Sequence, residues 1–190
     1  MKALILDCAR MQINNLNTFR SFGEMHSSLY AGEAEKKLEE FAPYLYHIPD
    51  GCETEAHFRK AGKGLSWGIM LETEWPFEEL KTHLRRFLRV KMESGETMYF
   101  RFYDPRVLRI FLPTCDQDQL LTFFGRIRSF WTENESGEEM TRWWLENGQL
   151  KSDGIDVSAS PKTKSTGHYN QTQASASDIK SPMKGNSWID

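Results

Sequence analysis

The chain has 190 residues, 27% of them charged, a net charge of -3 and an aromatic share of 13% that includes 6 Trp and 12 Phe. That suits one domain with a proper core, since a folded part of about 150 residues buries roughly 70% of its unfolded surface, and no apolar run approaches the roughly 20 residues of a membrane span. Met1 to Asp7 is interrupted too soon for a secretory segment, and Cys8, Cys52 and Cys115, odd in number and far apart, suit reduced thiols in a cytoplasmic protein better than a disulfide framework or a paired metal site.

The unbroken apolar run Ala3 to Leu6 predicts a short buried strand. Asn14 to Phe22 reads as a helix with Leu16, Phe19 and Phe22 inward, ending near Gly23. Gly32 to Glu40 reads as a brief helical turn, Tyr44 to Ile48 after Pro43 as an aromatic strand, and Glu53 to Lys60 as a helix. Cys52 follows the turn signal Pro49-Asp50-Gly51, which makes it the one thiol expected at the surface. The loop Ala61 to Ser66 sets Gly62 and Gly64 around Lys63. It lacks the glycine frame and the following Ser or Thr that a phosphate cradle requires.

Trp67 to Glu72 reads as a strand, and Trp75-Pro76 opens the clearest helix of the chain. Phe77, Leu80, Leu84, Phe87 and Leu88 fall on one face of it and Lys81, Arg85 and Arg89 on another. Glu78 and Glu79 near its start and the arginines near its end complement the helix dipole. Leu88 to Met92 and Met98 to Phe102 then form a hairpin through Glu93-Ser94-Gly95-Glu96, with strand character expected on to Tyr103 and Met98, Phe100 and Phe102 facing the core.

The densest stretch is Phe100 to Thr114, FRFYDPRVLRIFLPT. Asp104 before Pro105 pairs a favoured N-cap with a residue whose missing N–H is harmless in the first turn, so a helix starts there, with Val107, Leu108, Phe111 and Leu112 as its apolar face, and Pro113 ends it. Thr114 and Asp116 compete to cap Gln117 to Phe124; Asp116 with Gln119 makes a capping-box pair, and Gly125 is the expected αL stop. Ile127 to Glu133 and Met140 to Leu145 read as strands around Asn134 to Gly137, and Trp143-Trp144 must point opposite ways, which brings one indole to the surface or under the tail. From Lys151 to Asp190 Ser, Thr, Lys, Asn and Gln dominate without period, the composition of a disordered tail. The expected class is therefore α+β: one compact domain over residues 1–150, a mixed β-sheet flanked by helices, followed by a polar tail over 151–190.

Charge is uneven. Lys81 to Arg128 holds ten basic and five acidic residues, a local +5 against -8 in the remainder. Such asymmetry predicts a basic patch that steers an acidic partner, with Arg85, Arg86, Arg89, Arg101, Arg106 and Arg109 as the contact candidates. The alternative is internal pairing, for instance of Arg106 with Asp104 or Asp7, and a structural polar cluster of Asp7, Asp104 and Arg106. Trp67, Phe87, Phe100, Phe102 and Phe111 are the expected scaffold. His26, His47, His57, His83 and His168 are scattered, and no HExxH, GxSxG or Cys–His order is present. Arg101-Phe102-Tyr103 superficially resembles an RNA-recognition strand, but that motif's glycines are missing and the isoelectric point is near 6.0. Recognition of protein, without catalysis, cofactor or metal, is the expectation.

Five blocks carry a resemblance: Leu4 to Asp7 (LILD), Ser66-Trp67-Gly68 with Ile69 to Leu71, Leu84 to Val90 (LRRFLRV), Phe100 to Thr114, and Phe123 to Gly125 (FFG). Together, over roughly Ala3 to Thr132, they resemble the effector chaperones, or adaptors, of the bacterial type VI secretion system, long catalogued as domain of unknown function 4123. The resemblance implies a cytoplasmic adaptor that captures a toxic secreted effector and loads it onto a VgrG-type spike or PAAR-type tip, with no nucleic-acid or membrane partner. Two departures stand out. Such proteins often continue with structured sequence where this chain turns polar, and Cys8 stands where a small residue commonly follows the Asp. A toxin-neutralising immunity protein is the alternative from another class, and a nucleic-acid-binding module a weaker one.

Overall fold

A computed structural model describes residues 1–91 and 96–153. The apolar run near the N-terminus lies at its centre: β1 (Lys2–Asp7) pairs antiparallel with β3 (Pro43–His47) on one side and β4 (Gly68–Thr73) on the other. With β2 (His26–Ser28), β7 (Ile127–Glu133), β8 (Met140–Glu146) and β9 (Gln149–Ser152) these strands form a seven-stranded sheet in the order β2-β3-β1-β4-β7-β8-β9. A separate hairpin joins β5 (Arg89–Lys91) to β6 (Thr97–Tyr99). Each described ladder runs antiparallel, and the class is α+β.

Both faces of the sheet centre are covered, which is why β1 is continuously apolar instead of alternating. Ala3, Ile5, Leu45, Ile69, Leu71 and Phe130 face α4 (Phe77–Arg85), α5 (Pro105–Phe111) and α6 (Gln117–Phe124). Leu4, Leu6, Tyr44, Tyr46 and Met70 face the opposite way, onto Phe19 of α1 (Ile13–Ser21), Phe58 of α3 (Glu53–Ala61) and Trp67. The expected scaffold aromatics Trp67, Phe87, Phe100, Phe102 and Phe111 are all buried.

The local signals form the elements they predict. Leu16 and Phe19 of α1 are buried and Phe22 packs partly against them. Gly32 to Glu40 contains α2 (Glu33–Lys37) and the start of a short 3-10 turn, neither of which buries a side chain. The α4 face is buried at all five apolar positions, although the helix stops at Arg85 and Phe87 and Leu88 follow in tight turns. Asp104 caps α5 by accepting from the Arg106 amide (3.0 Å), Pro105 opens it, and the chain passes into a 3-10 turn at Pro113. Asp116 and Gln119 make the complete capping box of α6. Gly125 follows with a positive φ of 52°, but its ψ of -111° lies outside the αL basin.

Three expectations change. Strand character ends at Tyr99, because the Asp104 amide turns back to the Arg101 carbonyl (3.0 Å); Phe100 and Phe102 stay buried without a ladder. The sheet also runs past residue 150: Asn147 and Gly148, with φ of 53° and 75°, form the tight turn that returns β9 along β8, so Lys151 and Ser152 are strand residues. Cys115 matches Cys52 in being only half-buried, while Cys8 is buried and its thiol pushed up to about 12 by that burial. Trp143 is buried and donates from Nε1 to Thr132 Oγ1 (2.9 Å), whereas Trp144 is half-buried on the opposite face. The expected turn at Glu93-Ser94-Gly95 and the tail over 154–190 lie outside the described residues.

Candidate functional site

Asp7 ends β1 and is fully buried; Arg101 stands in the turn before α5, and Asp104 is that helix's buried cap. Arg101 Nη2 bonds Asp7 Oδ2 and lies 4.0 Å from Asp104 Oδ2. Arg106 grips Asp104 with two prongs, Nε to Oδ1 at 3.0 Å and Nη2 to Oδ2 at 2.6 Å. The expected cluster of Asp7, Asp104 and Arg106 therefore exists, but Arg101 is the residue that joins its halves, and Arg106 meets Asp104 rather than Asp7. Burial pushes the Asp7 carboxyl above the usual carboxylate range, against the pull of Arg101.

Two more of the six arginines serve backbone carbonyls. Arg85 donates from Nε to Leu29 (3.1 Å) and from Nη2 to Ser28 (3.1 Å) and Tyr30 (2.9 Å), closing the C-terminal end of β2. Arg109 donates from Nη1 to the carbonyls of Glu133 (2.8 Å) and Asn134 (3.4 Å). Arg86 and Arg89 differ. Both are exposed just beyond α4, and neither makes an ion pair among the described residues. Arg89 faces Tyr99 across the hairpin. Of the six arginines, four bond acceptors within the chain and two are exposed without an ion pair among the described residues.

Glu133 was not visible as a site residue. It is buried, and its carboxylate accepts from the amides of Gly64 (2.8 Å) and Ser66 (2.9 Å). The glycine loop that superficially invited a phosphate does present N–H groups to an anion; the anion is the chain's own side chain, from a strand some seventy residues on. No local signal links the two segments.

Among the described residues His83 is the buried histidine. Its Nε2 donates to the Phe123 carbonyl (2.9 Å), and its ring packs on Trp75 and Phe87. Burial lowers its pKa below the usual 6.5. The unfolded chain then binds a proton that the folded chain refuses. Its contribution to stability is therefore present above pH 6.5 and is lost as pH falls toward the lowered folded value. Urea denaturation at a series of pH values should show wild-type stability falling through this window and His83→Gln falling less steeply; parallel profiles would contradict the assignment.

Among the described residues no group of three or more His, Cys, Asp or Glu side chains could hold a metal, and no helix is long and apolar enough to cross a membrane. A family model described as "Domain of unknown function (DUF4123)" matches residues 4–121, from β1 into α6. No curated protein and no solved structure matches the chain.

Proposed function

The chain belongs to the DUF4123 family, a domain of unknown function, and from that premise we propose that it is a cytoplasmic effector adaptor of a type VI secretion system. It binds a secreted toxin and presents it to a VgrG-type spike or a PAAR-type tip. Such a protein needs shape and charge complementarity to its partners and no chemical step. The five sequence blocks that resemble these adaptors supply the scaffold, including Asp7, Arg101 and the Asp104-capped helix.

One observation carries the reading. Arg86 and Arg89 of the LRRFLRV block are exposed without an ion pair among the described residues, while Arg85, Arg101, Arg106 and Arg109 are engaged by acceptors within the chain. Two surface arginines, one of them across the hairpin from the exposed Tyr99, have the composition of an interface hot spot for an acidic surface. Arg85 does not belong in a test of capture, because its loss would release the end of β2.

The experiment is a pull-down from the native cell followed by mass spectrometry, with wild type and the double variant Arg86→Glu/Arg89→Glu. Wild type should recover a toxin and a spike or tip protein. The variant should keep its melting temperature and lose at least about tenfold in cargo affinity, some 1.4 kcal/mol. Undiminished capture by the variant removes this patch. Recovery of toxin without any spike or tip protein, in cells that express them, favours toxin neutralisation over loading.

A further inference from the structure

The sheet face opposite α4 to α6 is left partly open toward its far edge. The cluster built on α1 and α3 takes Trp131 from β7, Met140 from β8 and nothing from β9. On the open part Trp131 stands across from Arg142, and Trp144 follows two residues along β8. The Arg142 guanidinium lies 5.6 Å from the Trp131 ring centre and 5.3 Å from that of Trp144, so both indoles flank it. Its Nε is buried without an acceptor among the described residues.

Among the described residues no carboxylate pairs with this cation. Asp153 pairs with Arg142 only through the backbone, its amide donating to the Arg142 carbonyl (3.1 Å), and forms no ion pair with it. Glu133, on the same face, is engaged by Gly64 and Ser66. Lys151, across from Trp144, has no carboxylate partner among the described residues either. Glu146 is exposed at the end of β8 and makes no ion pair among the described residues.

We propose that the Trp131–Arg142–Trp144 face docks an acidic segment of a partner polypeptide. Attraction of a cation to the two indole rings takes up none of its N–H groups with a counter-charge, and the guanidinium N–H fork matches a carboxylate. The half-buried indoles supply apolar platforms for the residues beside that carboxylate and shield the pair from water. The chain's own residues 154–190 are a poor occupant, because Lys162, Lys164, Lys180 and Lys184 outnumber Asp156, Asp178 and Asp190. The face lies beyond the matched residues 4–121 and on the other side of the sheet from α4, so it stands whether or not the adaptor reading holds.

The test follows the indole N–H signals of the full chain by NMR while a synthetic peptide of aspartate, glutamate and glycine is added. The Trp131 and Trp144 signals should shift saturably, and that of Trp143, bonded to Thr132 in the core, should stay and report an intact fold. Arg142→Gln should weaken binding at least tenfold, and Arg142→Lys, which keeps the charge without the fork, by less. No shift at peptide concentrations of about 1 mM and above, an equal response to an uncharged proline-rich peptide, or unchanged affinity in Arg142→Gln would each overturn the proposal. So would a shift of the same two signals on deleting residues 154–190 with no peptide present, since that makes the chain's own tail the occupant.

Discussion

Replacing Gly68 by alanine should remove more than about 4 kcal/mol of stability, enough to leave most of a marginally stable chain unfolded. A Cβ at this position would stand 2.0 Å from the Ile5 carbonyl oxygen, 3.0 Å from its carbon and 3.1 Å from Leu6 Cα. These are backbone atoms of the neighbouring strand, so no side chain can turn aside to admit the methyl group. Gly68 pairs with Leu6, and the adjacent Asp7 amide donates to the Trp67 carbonyl at 2.7 Å. Separation of β1 from β4 therefore opens the ladder at the point where both cores meet. Gly23→Ala is the control: its φ of 81° carries the conformational strain of a left-handed residue, but a Cβ there meets nothing within 4 Å. It should cost about 1–2 kcal/mol. Urea denaturation of the two variants separates the effects, and a Gly68→Ala protein no less stable than Gly23→Ala would contradict so close a strand approach.

The Trp67-Gly68 pair also illustrates what the sequence could and could not reveal. A strand was legible there from its apolar run, and so were the helix starts at Asp104 and Asp116, because a cap, a proline and a helical period are properties of neighbouring residues. The reason for a glycine at 68 was not legible, since the obstacle belongs to Ile5. Arg85 and Arg86 show the same limit at the candidate site. Side by side and identical in chemistry, they differ because one reaches carbonyls 55 to 57 residues away and the other reaches none among the described residues. The same holds for Glu133, whose partners Gly64 and Ser66 lie 69 and 67 residues away in sequence. β9 is a different case: its Asn147-Gly148 turn was a readable hairpin signal, but its polar residues Gln149, Lys151 and Ser152 have the composition of the tail that follows.

Loss of one partner from the Asp7–Arg101 pair is the second large effect expected. Asp7→Ala takes the bonded carboxylate from the Arg101 guanidinium, only 14% exposed, and leaves Asp104 at 4.0 Å, whereas Arg101→Met takes the bonded cation from the fully buried Asp7. Each should cost about 3–5 kcal/mol, as breaking a buried ion pair does. Burial already pushes the Asp7 carboxyl upward, which shows desolvation opposing the pair even while it is intact. A group raised in the folded state contributes stability below its unfolded pKa and loses that contribution as pH rises through the folded one. Asp7→Asn, which resembles the neutral acid, should therefore be milder than Asp7→Ala. The double variant Asp7→Leu/Arg101→Met removes both charges and should regain most of what either single change loses, so that the double-mutant cycle closes far from additivity. The same variant separates scaffold from interface: if Arg101 serves the fold alone, a refolded double variant captures cargo as wild type does. Additive losses across the cycle would mean that the two side chains do not act as a pair, and a stable double variant that fails to bind would return Arg101 to the contact surface beside Arg86 and Arg89.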